Sequence, residues 1–155
     1  MPKTEADNSI EMLKSDHQKV KGLFAQFEKA KDTRRKRKIV QEAISELKVH
    51  ATIEEEIFYP PVRKEIDDAK MMNEANEEHH VAKLLIAELD AMKGSEGQYE
   101  AKFIVLAENV RHHIKEEEEE MFPKVKKAKI NLQALGNKMS QRKEALMTQG
   151  VAPTS

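Results

Sequence analysis

The chain has 155 residues, the size of one ordinary domain, and its 27 basic and 28 acidic side chains nearly cancel to a formal charge of -1. That balance offers no electrostatic footprint for nucleic acid or an anionic membrane. The absence of cysteine excludes disulfides, thiolate metal sites and cysteine nucleophiles, so any metal must use nitrogen and oxygen ligands, while 35% charged and 5% aromatic residues favour amphipathic helices over sheets.

Asp7, Asn8 and Ser9 are N-cap candidates. Behind them Ile10, Leu13, His17, Val20, Phe24 and Phe27 recur at spacings of three and four, the pattern of a first amphipathic helix. Asp32-Thr33 interrupts it. A second helix carries Val40, Ala43, Leu47, His50, Glu54 and Ile57 on one face. It is expected to kink or end near Pro60-Pro61, where proline removes a backbone donor and crowds the preceding turn. The third stripe is Met72, Ala75, His79, Ala82, Ile86 and Leu89, and it stops before the Gly94-Ser95-Glu96-Gly97 loop. The fourth, Phe103, Leu106, Val110, His113, Glu117 and Met121, is expected to end near Pro123. A shorter fifth helix bearing Leu132, Leu135, Met139, Ala145 and Leu146 is expected to cover one end, with a frayed tail over 149–155. Four helices of similar length with short connections predict an all-α fold, an up-down-up-down antiparallel four-helix bundle with a short fifth C-terminal helix. It forms one domain over 1–155, with the bundle core over about 8–127 and the terminal helix over about 131–148.

Helices two and four repeat one another. His50, Glu54 and Pro60 fall on His113, Glu117 and Pro123 without a gap. Helices one and three also align, placing His17 on His79, Lys21 on Lys83, Leu23 on Leu85 and Phe27 on Leu89. A helical hairpin is therefore used twice, and pairing the two copies brings four histidines together. Neighbouring positions on a helix point about 100° apart, so of His79-His80 and His112-His113 only one of each pair can face the centre. His79 and His113 keep the apolar stripe; His80 and His112 fall among polar positions such as Asn73 and Asn109 and are assigned to the surface.

Each His-x-x-x-Glu pair sets two ligands one turn apart on one helix face. Imidazole plus carboxylate without thiolate suits iron, manganese or zinc, and a glutamate can bridge two metals with its two oxygens. For two six-coordinate metals, about ten of roughly twelve positions are filled by four histidines, two bridging carboxylates and a shared oxo or hydroxo group, leaving about two for an exogenous ligand. The remaining polar residues have simpler readings. Only Glu117 is selected from the Glu116 to Glu120 run, the rest being a solvated face. Glu55 or Glu56 can offer an outer hydrogen bond to a ligand histidine. Tyr59 is expected at a helix end with its hydroxyl in water, and Met71, Met72, Met92 and Met121 are expected to fill the core. A ferritin-like site needs Glu-x-x-His on two helices, and only Glu77-x-x-His80 has that spacing. The Arg34-Arg35-Lys36-Arg37-Lys38 cluster reads as a solvated helix start, with no nucleic-acid partner expected.

The pattern resembles the hemerythrin-like family, specifically the bacterial HHE cation-binding domains. Its carriers are Asp16-His17, His50 to Glu56 with Phe58-Tyr59-Pro60, Glu78-His79, and His112 to Glu117 with Phe122-Pro123. The resemblance implies a four-helix bundle holding two non-haem iron ions, oxo- or hydroxo-bridged, with His17, His50, His79 and His113 as terminal ligands and Glu54 and Glu117 as bridges. The invertebrate oxygen carriers of that family have a fifth histidine one turn after the third-helix ligand; here that position is Lys83. This implies that both irons, rather than one, are open to an exogenous ligand. The expected function is binding of dioxygen, nitric oxide or a related small oxidant for sensing, storage or delivery. Catalytic use of the same centre is the alternative, as peroxide or nitric oxide detoxification or iron donation in iron–sulfur cluster repair, and a metal-free scaffold is the third reading. No apolar leader or membrane-length segment is read in the sequence, and the expected partner is a diatomic or peroxide ligand in the cytoplasm.

Overall fold

The computed structural model describes residues 8–94 and 97–149. The predicted start of the chain, the centre of the Gly94 to Gly97 loop and the tail from Gly150 lie outside the described residues. The elements are α1 (Ser9–Lys29), α2 (Thr33–Ile53), a π-helical turn (Glu54–Phe58), α3 (Tyr59–Glu65), α4 (Ala69–Asp90), α5 (Gly97–Glu116), a second π-helical turn (Glu117–Met121), α6 (Phe122–Lys127) and α7 (Leu132–Gln149). No strand is present among the described residues, and the all-α helical bundle expected from the stripes is the fold.

Local chemistry accounts for the helix starts. The Asn8 side chain accepts from the Ile10 N–H at 2.7 Å, Asp32 accepts from Arg35 at 3.0 Å, and Asp68 accepts from Met71 at 3.1 Å. Each satisfies a backbone donor that a helix start leaves without an intrahelical partner. The turn between α4 and α5 uses Gly94 at φ 96°, where a Cβ would lie 2.3 Å from the Arg37 side chain. Arg37 in turn donates to the Lys93 carbonyl at 3.0 Å, locking the loop onto α2.

The second helix, expected to kink or end near Pro60-Pro61, and the fourth, expected to end near Pro123, both run on past proline. The chain passes through each proline by widening the turn before it: the Tyr59 N–H reaches back to the Glu54 carbonyl, and the Phe122 N–H to the Glu117 carbonyl. These five-residue steps move the carbonyl that a proline ring would strike in a regular α-helix, so the rod continues as α3 and α6. The extra residue also rotates the following face. Ile57, expected on the buried stripe, is half-buried, whereas Phe58 and Tyr59 turn inward.

The apolar interior has two parts. One lies toward the α1–α2 and α4–α5 turns and is built on Phe24, Phe27, Val40, Phe103 and Leu106. The other lies toward α3, α6 and α7 and is built on Ile10, Leu13, Phe58, Met72, Phe122 and Met139. Each fully buried side chain of this size contributes about 1.5–3 kcal/mol. The terminal helix is nearly as long as the bundle helices, at 18 residues. It buries Leu135, Gly136 and Met139 and is tethered by Arg142 to Glu56 at 2.9 Å and by Lys143 to Asp16 at 2.7 Å. Between the two apolar parts runs a layer of charged and imidazole side chains.

Candidate metal centre

The layer contains the six residues selected from the sequence, His17, His50, Glu54, His79, His113 and Glu117. Five are buried and His113 nearly so. The two glutamates divide their oxygens between two donor sets. Glu54 Oε2 lies 3.3 Å from His50 Nε2, while its Oε1 lies 3.0 Å from His79 Nε2. Glu117 Oε1 lies 3.1 Å from His17 Nε2, while its Oε2 lies 3.2 Å from His113 Nε2. One set is therefore His17, His50, Glu54 and Glu117, and the other is His79, His113, Glu54 and Glu117. Within each set the donor atoms lie within 4.8 Å of one another, comparable to the spread of opposite donors around one cation at about 2.0–2.2 Å per bond.

The first set fits a cation on its own chemistry. Of the six buried side-chain polar atoms without a hydrogen-bond partner among the described residues, four are His17 Nε2, His50 Nε2, Glu54 Oε2 and Glu117 Oε1. Buried polar atoms are rarely left unpaired, and four converging orphans of ligand type are what a cation would satisfy.

The second set holds a residue expected elsewhere. The Tyr59 hydroxyl is buried at its centre rather than in water. It donates to a carboxylate oxygen, with Glu54 Oε1 at 3.1 Å and Glu117 Oε2 closer still, and lies 3.2 Å from both His79 Nε2 and His113 Nε2. Burial first, then the charges of Glu117 and Glu54, push its pKa well above the ordinary phenol value. The matching residue in the repeat is Phe122, whose ring stacks parallel on His17 with centroids 6.0 Å apart.

All four histidines have a carboxylate on the nitrogen facing away from the centre. Asp16 meets His50 Nδ1 at 2.9 Å and Glu78 meets His113 Nδ1 at 2.5 Å, each within one hairpin. Glu55 meets His79 Nδ1 at 2.7 Å and Glu118 meets His17 Nδ1 at 2.6 Å, each crossing to the other hairpin. Such outer carboxylates fix ring orientation and direct Nε2 inward. The Glu55 contact matches the sequence expectation; Glu118 corrects the reading of everything but Glu117 in that run as solvated. Burial disfavours a charge on His50, yet Glu54 and Asp16 outweigh it and raise its pKa to about 10. The same opposition raises His79 and His113, and burial of Glu54 is overcome by His50 and its other partners, lowering its pKa well below the ordinary value. His80 and His112 are exposed, as expected, and so is Glu77. The basic cluster at the start of α2 is engaged in part, with Lys36 on Glu100 at 3.0 Å.

Comparison with known proteins agrees with this geometry. A solved hemerythrin HHE cation binding domain-containing protein from Mycobacterium kansasii is 28% identical, with a TM-score of 0.77 over 94% of this chain and 96% of that one. A curated protein of Nostoc sp. named DNA nickase is 27% identical over 122 residues, 77% of this chain; the chain spans only 34% of that relative. No helix among the described residues is long and apolar enough to cross a membrane. The family model for the hemerythrin HHE cation binding domain matches residues 8–125, most of the chain, and with the paired His/Glu layer this places the protein in the hemerythrin HHE cation-binding domain family.

Proposed function

We propose that this is a non-haem di-iron protein that binds dioxygen, nitric oxide or a related small oxidant for sensing, storage or delivery. The observation that carries the reading is that Glu54 and Glu117 each present one oxygen to one histidine pair and the other oxygen to the other pair, the arrangement two adjacent cations require. His17, His50, His79 and His113 would hold the metals terminally. Iron, rather than manganese, rests on the resemblance to hemerythrins. A bound iron pair would supply reversible electron storage and an open position for the oxidant. The protein's own contribution is to hold the imidazoles by their outer carboxylates, to exclude water with two apolar layers, and to keep the Tyr59 proton in place.

Metal analysis of freshly purified protein, with its visible spectrum followed through reduction and re-exposure to air, tests this. About two irons per chain, with a charge-transfer band that bleaches and returns, is the expected result. One metal or none overturns it. Tyr59 favours the catalytic alternative over simple carriage, because a buried hydroxyl among the donors is a proton source that reversible binding does not need. Steady turnover of peroxide or nitric oxide, lost in Tyr59→Phe with metal content retained, would establish that alternative. We assign no nucleic-acid partner to this chain, and the nickase name belongs to a relative of which it matches a minor part. Gel-shift binding to DNA at physiological ionic strength would reverse that assignment.

A further inference from the structure

The donor layer also floors a cleft of about 550 Å3 running between α2 and α4. Its floor includes His17, His50, His79 and His113, and its walls are Val20, Leu47, Ala82, Leu84, Ile86 and Val110. The internal repeat shows where the room comes from. The α4 positions matching Val20 and Phe24 of α1 are Ala82 and Ile86, so the second hairpin carries smaller side chains facing the same layer. Ala82 is only half-buried and Leu84 is 52% exposed, although both line the cleft.

A diatomic oxidant occupies about one or two water volumes of ~30 Å3, roughly a tenth of this space. The cleft volume lies instead within the ~300–1,000 Å3 range of sites that hold organic ligands. Polarity is segregated along the cleft. The floor presents imidazole edges and the walls named above are aliphatic, while the lining also carries the charged Asp16, Glu56, Glu78 and Arg142. Lys48 of α2 pairs with Asp90 of α4 at 2.7 Å, and Lys83 of α4 with Glu55 of the first π-helical turn at 2.6 Å. The floor exposes only the edges of His50, His79 and His113; the orphaned Nε2 atoms of His17 and His50 and Oε2 of Glu54 lie buried beneath it, so a polar head meets them only through a cation held there.

We propose that the cleft binds an organic molecule with an unbranched apolar body and one small oxygen-bearing head, the chemistry shared by fatty carboxylates and fatty hydroperoxides. The head faces the histidine floor and the chain lies along Leu47, Ala82, Ile86 and Val110. This rests on the reading of the six donors as a metal centre and specifies a class of organic ligand that reaches that centre. Lys83 stands exposed on the α4 side of the cleft with its ammonium held by Glu55.

Isothermal titration of decanoate and of acetate into iron-loaded protein tests it, because the two share a head and differ only in the chain. Decanoate is expected to bind at least tenfold more tightly than acetate. Ala82→Phe, which fills the cleft, and Leu84→Asp, which charges its wall at a half-exposed position, should each erase most of that preference. Azide binding, followed in the visible spectrum, should be unchanged in both. Equal affinity for the two carboxylates, or a chain-length preference untouched by both substitutions, overturns the proposal. Two irons with a normal azide response but no preference for decanoate would sink the cleft assignment alone. A preference for decanoate in protein holding no metal would keep the cleft and sink the di-iron reading.

Discussion

The two halves of the metal centre are built by two copies of the same hairpin, yet they are chemically unlike. In the half formed by His17 and His50, Phe122 lies flat on an imidazole, and the inward nitrogens and one oxygen of each glutamate have no hydrogen-bond partner. In the half formed by His79 and His113, Tyr59 sits at the position equivalent to Phe122 and its hydroxyl meets all four donors. Ligand type and number are the same on both sides. The halves differ by one oxygen atom and the proton it carries. Duplication thus delivers a symmetric donor set, and a single substitution at the residue after each π-helical turn makes the set asymmetric.

The largest test removes what the halves share. Glu54→Ala takes one donor from each half and is expected to abolish metal binding in both, read by metal analysis; a full complement of metal in that variant would refute the shared-bridge geometry. Tyr59→Phe makes the halves alike. Before metal is added it takes the hydroxyl donor from Glu117 Oε2, while Glu54 Oε1 keeps His79 Nε2 at 3.0 Å, and should lower unfolding free energy by about 1–3 kcal/mol in urea titration. Phe122→Tyr should act in the opposite sense, since two orphaned carboxylate oxygens there, Glu54 Oε2 and Glu117 Oε1, await a donor; equal stability of all three proteins would show that the hydroxyl does not distinguish the halves.

Outer carboxylates give a finer comparison. Asp16→Asn weakens the hold on His50 and Glu55→Gln the hold on His79, and each is expected to reduce metal affinity about 10–100-fold in competition with a chelator. A larger loss for Asp16 would show that its Lys143 contact, made from α7, matters to the first half.

The smallest effect, step for step, is that of pH on protein stripped of metal. The folded pKa of His50 is about 10 against an ordinary 6.5, so its contribution is complete below about pH 6.5 and is lost as pH rises through 10. Glu54 works the other way: its depressed pKa stabilises the fold above its ordinary 4.5 and that support fades as pH falls below it. Unfolding free energy should therefore decline on the alkaline side, by at most about 1.4 kcal/mol per pH unit for one proton, with thermal midpoints falling in step, and the slope should flatten in His50→Gln. Metal loading should release protons from the histidines and remove the alkaline decline.

Much of the site is legible in one dimension because an α-helix repeats every 3.6 residues. That period puts His17, His50, His79 and His113 on apolar stripes and rejects His80 and His112 by a 100° rotation. The repeat held further signals that the stripes alone did not show. Asp16 and Glu78 each precede a first-helix histidine of their hairpin, and Glu55 and Glu118 each follow a glutamate of the centre. Acidic residues recurring at matched offsets in both copies mark the outer carboxylates. Tyr59 was misplaced because regular helical spacing carries it past the stripe. The π-helical turn adds one residue and brings the ring back to the interior.

Helix faces, caps and the duplicated hairpin follow from local rules, since periodicity and capping involve residues a few positions apart. Which oxygen of Glu54 meets which histidine, the crossing of Glu118 to His17 over 101 positions, and the cleft beside Ala82 are set by how two hairpins pack. No local period encodes those distances. They follow from the shape of side chains on opposite hairpins, where Phe122 and Tyr59 occupy equal places and differ by a single hydroxyl.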